Sequence, residues 1–164
     1  MINQKHLQEV IAMINEAPYF RLLSIEVTDM GDGFSRLKVS MDKKHLNPFG
    51  AIHGGVYSSL IDTAAYRALY CDIGEDEGMV SIDLAVHNLA AVDSGSLVVE
   101  ARRIKKGWTL CIAEGRILEE SGRLLAHGTS KMIITPGMQT IDQAFKWMNV
   151  TTGGPKFLES PVEV

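Results

Sequence analysis

The residues best placed to do chemistry lie between Asn47 and Tyr70, in the stretch NPFGAIHGGVYSSLIDTAAYRALY. A loop marked by Pro48 and Gly50 leads into the pair Gly54-Gly55, then into an apolar segment with one carboxylate, Asp62. At about 100° per residue, Gly55, Ser59, Asp62 and Tyr66 stand at i, i+4, i+7 and i+11 and share one helix face. Val56, Leu60, Ile61, Ala64, Ala65, Ala68 and Cys71 make more than half of the circumference apolar, so this helix belongs inside the protein. A charge on such a helix needs a partner or a purpose. The first amides of a helix lack intrahelical acceptors and face a favourable dipole, so Gly54 and Gly55 are predicted to offer N–H groups to an acyl oxygen. With no Cβ, they let a ligand come close. Asp62, two turns on, has the chemistry of a general base on water or of a nucleophile toward an acyl carbon. Oxyanion donors plus one carboxylate point to acyl transfer. The spacing fits equally well a glycine pair that merely permits a tight turn and an aspartate that merely hydrogen-bonds a neighbouring strand.

The elements that must position this helix follow from periodicity. Leu7, Val10, Ile11 and Ile14 form an amphipathic helix that ends before Pro18. Leu22–Thr28 and Phe34–Ser40 flank MGDG, whose Asp32-Gly33 pair is a hairpin turn signal. After the central helix, the acidic loop IGEDEG reads as a solvated connection leading to a strand from Val80 to Leu89. Ser96–Ile104, Thr109–Leu118 and Leu124–Ile134 are further strands with short, turn-rich separators, which predicts consecutive antiparallel pairing. The alternation in IDLAVHNL and LLAHGTSKMII predicts one side chain in two facing the buried helix. Beyond Pro136, Ile141–Val150 is predicted to be a short helix, and TTGGP a loose tail.

Composition bounds the function. The 164 residues suit one domain. A net charge of −4 argues against broad nucleic-acid binding, which needs a basic surface. Cys71 and Cys111 lack metal or redox spacing and read as core residues. No apolar run approaches the roughly 20 residues of a membrane span, and the first residues, MINQKHLQEV, lack a signal-peptide core, so a cytoplasmic protein is expected. GAIHGG lacks the Lys-Ser/Thr ending of a phosphate-binding loop. No metal constellation is visible, and His87 and His127 read as structural or exposed.

The run NPFGAIHGGVYSSLIDTAA resembles the signature of hotdog-fold acyl-CoA thioesterases of the phenylacetate-pathway type. It has an Asn six residues before His-Gly-Gly and an Asp eight residues after the first of these glycines. The resemblance runs from EAPYFRLLSIEV through MVSIDLAVHNLAAV to SGSLVVEARRIKKGWTLCIAEGRILEESGRLLAHGTSKMII. It implies an α+β hotdog fold, an antiparallel sheet wrapped around one long central helix. The expected organisation is a hotdog domain with its N-terminal helix over residues 1–136 and an extension over 137–164.

The resemblance also implies an activity: hydrolysis of an acyl-CoA to a carboxylic acid and CoA, with no metal or redox cofactor. Gly54 would polarise the thioester carbonyl through its backbone N–H, and Asp62 would be base or nucleophile. Asn47 and His53 would position thioester and water, and Ser81 matches a serine that holds the attacking water in some relatives. Gly55, Ser59 and Tyr66 would contact substrate. Charge alone makes Arg102, Arg103, Lys105 and Lys106 a solvated hairpin end. The resemblance makes Arg102, Arg103 and Lys106 candidates for holding CoA phosphates.

Tyr66 and Arg67 are large where relatives commonly have small residues, which suggests a shortened or polar acyl pocket. HNLAAV lacks a proline often found there. A homodimer, or a dimer of dimers, is expected, because a single wrapped sheet leaves an open edge and the family shares its site between chains. The alternatives are a hotdog hydratase or dehydratase, whose acid and base are spaced differently, and a non-catalytic acyl-CoA-binding protein.

Overall fold

The computed structural model describes residues 1–151 and 154–159. Helix α1 (Gln4–Asn15) starts at Asn3, whose side chain accepts the N–H groups of Lys5 and His6, and it buries Leu7, Val10, Met13 and Ile14. Pro18 does not open a strand approach. It stands in the first turn of a second short helix, α2 (Pro18–Leu23), which ends at Ser24 in a left-handed conformation. The expected strand from Leu22 therefore begins later: β1 is Ile25–Gly31, joined through Asp32-Gly33 to β2 (Phe34–Ser40). Proline's fixed φ suits a helix's first turn, and that preference overrides the strand-like composition of LLSIEV.

The central helix α3 (Gly54–Leu69) is followed by β3 (Glu77–Asn88), β4 (Ser96–Lys105), β5 (Leu110–Glu119), β6 (Leu124–Pro136) and α4 (Ile141–Trp147). The six strands form one antiparallel sheet in the order β1-β2-β4-β5-β6-β3, wrapped around α3 in the hotdog arrangement. Strands β4, β5 and β6 pair consecutively, as the short turns predict.

The helix sits unusually close to the sheet where Gly115 and Gly128 face each other in register on β5 and β6. A Cβ on either would come within 3.1 or 3.2 Å of the Ile61 side chain. Leu60, Ile61, Ala64, Ala65 and Ala68 are fully buried there, together with Leu97, Val99, Cys111, Ala113, Ile117 and Met132 from the sheet.

Strand β3 departs from the expected alternation. It forms one edge of the sheet, and past Val80 nearly all of its side chains are exposed, among them Ile82, Leu84 and His87, with Leu89 just beyond. Its register with β6 shifts between Ser81 and Asp83, so the bulged Ile82 stands out of the ladder.

The C-terminal stretch is docked where a loose tail was expected. Phe145 of α4 is buried, and Lys156 is 1% exposed. Lys156 Nζ donates to the carbonyls of Tyr70 (2.5 Å) and Ile73 (2.7 Å) at the end of α3, and lies 4.0 Å from the Tyr70 ring centroid. Phe157 pairs with Ile2, and His6 links the Gly154 carbonyl to the Tyr70 hydroxyl. Thr152 and Gly153 of the predicted tail lie outside the described residues. Among the described residues, no helix is long and apolar enough to cross a membrane.

Candidate active site

His53 caps α3: its Nδ1 accepts the Gly55 N–H at 2.9 Å, which leaves the ring's proton on Nε2. This corrects the picture of two exposed glycine amides. Gly55 is spent on its own cap, whereas the Gly54 N–H has no partner among the described residues. Gly54 borders a cleft of about 270 Å³ lined by Ile52, Tyr57, Asn88 and Leu89. A Cβ on residue 54 would stand 2.7 Å from Asn88 Nδ2, so glycine is what lets Asn88 lie there. Tyr57 closes this end of the helix with its hydroxyl donated to the Ala90 carbonyl, and burial pushes that hydroxyl up to about 12.

Asn47 shapes the loop before the helix. Its Oδ1 accepts from the amides of Phe49 (2.9 Å) and Ala51 (3.3 Å), an Asx-type turn that holds residues 47–51 in place. Its acceptor is thus occupied by its own loop, and its amide Nδ2 has no partner among the described residues.

The predicted polar strip exists. Gly55, Ser59, Asp62 and Tyr66 all retain solvent access on a helix otherwise largely buried. Ser59 donates to the Gly55 carbonyl and hydrogen-bonds the hydroxyl of Tyr19 from α2. Asp62 reaches across to the sheet, where Oδ1 accepts from Ser81 of β3 at 2.7 Å and from Ser130 of β6 at 3.0 Å. Oδ2 has no partner among the described residues.

Two serines on adjacent strands therefore hold one oxygen of Asp62 and leave the other available. Ser81 was legible from the sequence, but Ser130 was not. Its signal was a fully buried hydroxyl in an inward position of LLAHGTSKMII, a polar group that must find an acceptor.

Gly54 and Asp62 do not meet within one chain. Eight residues of continuous helix at about 1.5 Å each separate them by roughly 12 Å along the axis.

The basic hairpin is more occupied than its charge suggested. Arg102 pairs with Glu114 across β4 and β5. Arg103 bridges Asp32 of the β1–β2 turn, at 2.6 Å, and the buried Asp72 that follows α3. Hydrogen bonding to Asp32 holds its guanidinium above its ordinary range. Lys106 is exposed, with no hydrogen bond or ion pair among the described residues, and stands near the 98% exposed Trp108. Tyr66 and Arg67 line a separate cavity at the far end of α3. His87 and His127 stack on one another on neighbouring strands, away from Asp62.

Comparison with known proteins agrees with this architecture. The family profile described as Thioesterase superfamily matches residues 49–126, a span that contains Gly54, Asp62 and Ser81. Acyl-coenzyme A thioesterase 13 of Mus musculus is 27% identical over 128 residues, covering 76% of this chain and 91% of that protein. A 1,4-dihydroxy-2-naphthoyl-CoA hydrolase of Listeria monocytogenes is 27% identical over 103 residues, covering 63% of this chain and 84% of that one. Among solved structures, a thioesterase from Haemophilus influenzae superposes with a TM-score of 0.73 at 21% identity, covering 85% of this chain and 94% of that chain. Zebra fish thioesterase superfamily member 2 superposes with a TM-score of 0.67 at 26% identity, covering 77% and 93%. The chain thus has the hotdog fold, and its residues 49–126 are similar to the thioesterase superfamily.

Proposed function

We propose that this protein is an acyl-CoA thioesterase whose base or nucleophile is Asp62. The observation that carries the reading is the carboxylate anchored at Oδ1 by Ser81 and Ser130 with Oδ2 unpartnered. It is aimed by a pair of hydroxyls and keeps a free oxygen on the accessible face of the helix.

In the proposed reaction, Oδ2 takes a proton from water as that water attacks the thioester carbon, or attacks the carbon itself. The oxyanion that develops is met by the Gly54 N–H, a fixed backbone donor at the positive end of α3. Collapse of the tetrahedral species expels the CoA thiolate, which takes up a proton; with Asp62 as base the free acid leaves directly, and with Asp62 as nucleophile a second water hydrolyses the mixed anhydride on Oδ2, releasing the acid and restoring the carboxylate. No metal or redox cofactor enters this scheme. His53 and Asn47 act through geometry, His53 by capping the helix that presents Gly54 and Asn47 by shaping the loop before it. The names of the relatives, several of them acyl-CoA hydrolases, support the same substrate class. The finer kinship to phenylacetate-pathway thioesterases rests on the Asn47–Ala65 motif and forms part of this proposal.

The roughly 12 Å between Gly54 and Asp62 exceeds the few ångströms that attack allows. We therefore place the complete site between two chains, paired along the free edge of β3, where the partner's Gly54 meets Asp62. The exposed Ile82 and Leu84 on that edge supply apolar surface for such pairing. Of the three hairpin candidates for a CoA phosphate, Lys106 is the one left free among the described residues, since Arg102 and Arg103 already hold carboxylates.

The test is a screen of purified protein against aromatic, short, medium and long acyl-CoAs, following thiol release. Uniform inactivity with tight acyl-CoA binding would replace this reading with that of an acyl-CoA-binding protein.

A further inference from the structure

Resting on the thioesterase reading, we propose that the cavity beyond Asp62 receives the distal end of the acyl group and that Arg67 pairs there with a carboxylate, making ω-carboxyacyl thioesters the preferred substrates. The cavity measures about 690 Å³, within the range of small-molecule sites. It lies between the C-terminal half of α3, the start of β3 and helix α4. Tyr66, Tyr70 and Ile73 form its inner wall, and Gln143, Ala144 and Trp147 close it from α4. Tyr66 belongs to the strip that carries Asp62, one turn away, so the cavity begins where an acyl chain leaving Asp62 along the helix would arrive.

Arg67 sets the chemistry. Its Nε is sealed from solvent with no hydrogen-bond partner, and no ion pair or hydrogen bond engages its guanidinium among the described residues. It is held only against the rings of Tyr66 and Phe20, at 4.9 and 5.7 Å from their centroids. Ring faces offset part of the cost of burying a cation, but an ionised group so placed is normally matched by an anion. Burial draws its pKa downward, in keeping with a charge that lacks a counterion.

Glu77, the carboxylate lining the same cavity, is turned onto the Gly74 N–H at 2.7 Å and makes no pair with Arg67. Every other arginine faces a carboxylate: Arg103 has Asp32 and Asp72, Arg102 has Glu114, Arg123 has Glu119, Arg21 has Glu16, and Arg36 and Arg116 share Glu100. Arg67 is the guanidinium whose partner must come from a ligand. A planar fork of donors set between aromatic faces suits a carboxylate at the end of an apolar chain.

The experiment compares matched thioesters of equal carbon count, adipoyl-CoA against hexanoyl-CoA and suberoyl-CoA against octanoyl-CoA, with the full-length wild type. At least one ω-carboxyacyl-CoA should exceed its neutral counterpart in kcat/KM by about tenfold or more. In Arg67→Met the ratio should fall to one or below, and Arg67→Lys should keep part of it. Free adipate or suberate should also inhibit the wild type more strongly than hexanoate or octanoate, a readout that needs no variant. Faster or equal hydrolysis of every neutral substrate would overturn the inference and leave the thioesterase reading standing. Failure to hydrolyse any thioester would overturn the thioesterase reading and this inference with it.

Discussion

Asp62→Asn separates the chemical role of this carboxylate from its structural one. The amide keeps an oxygen where Ser81 and Ser130 donate, at 2.7 and 3.0 Å, and puts a nitrogen in place of the unpartnered Oδ2. Two charge-assisted hydrogen bonds become neutral ones of roughly half the strength, so the stability loss should stay near 1 kcal/mol. The loss in kcat should be far larger, about 10²- to 10⁴-fold, which is roughly 3–5 kcal/mol of barrier.

Asp62→Ala provides the contrast. It should be equally slow but less stable by a further 1–3 kcal/mol or so, because the fully buried Ser130 hydroxyl loses its acceptor. The assays are thiol release at saturating acyl-CoA and urea denaturation of the same preparations. An Asn variant that turns over within a few-fold of wild type would refute the assignment. If both variants lost equal stability, the serine clamp would not be the interaction that orients Asp62.

Further outcomes follow from other contacts. Mixing inactive Asp62→Asn and Gly54→Pro proteins under conditions that exchange subunits should restore up to about half of the wild-type activity per mixed dimer. No recovery, with exchange verified by mass and both parents folded, would place the site within one chain. Arg103→Met should cost about 3–5 kcal/mol of stability, because Asp72, with its side chain 2% exposed, loses the charge beside it. Lys106→Ala should leave stability alone and raise KM for acyl-CoA more than for a thioester lacking the nucleotide; an equal effect on both would return Lys106 to a solvated surface role. Burial lowers Lys156 from its ordinary 10.5 to about 8, so between those values the unfolded chain binds the proton that the folded chain has released. The stability advantage of wild type over Lys156→Met should therefore widen by on the order of 2 kcal/mol from pH 8 to pH 10, and a gap that narrows would show that the ammonium form is the one the fold prefers.

The central helix, its polar strip and the β4–β5–β6 meander could be read from the sequence because each rests on local pattern: the 3.6-residue period, the glycine turns and the alternation of inward residues. What escaped was set at long range. Nothing local in VSIDLAVHNL says that it lies beside β6 at the end of the sheet, so its exposed faces were not foreseen. Ser130 meets Asp62 only once β6 crosses the helix, and in sequence it is one polar residue among several in its strand. Lys156 looked like a tail residue because its acceptors, the carbonyls of Tyr70 and Ile73, are far from it in sequence. The pairing of the basic hairpin is long-range for the same reason, since Asp72, which neutralises Arg103, comes from the turn that follows the central helix, 31 residues earlier in the chain.

The strand order has a consequence for how the protein is made. β3 leaves the ribosome third but, among the described residues, pairs only with β6, so β4 and β5 must be synthesised before its hydrogen-bonding partner exists. Closing a contact across that much chain is slow compared with forming the hairpins between. In the interval, Ile82 and Leu84 are displayed on an unpaired strand, the kind of surface on which nascent chains associate wrongly and chaperones act. The same event that retires this hazard, the arrival of β6, delivers Ser130 to Asp62. Onset of activity in a translation reaction would therefore time the closing of the sheet, and a chain halted before β6 would be both inert and prone to stick.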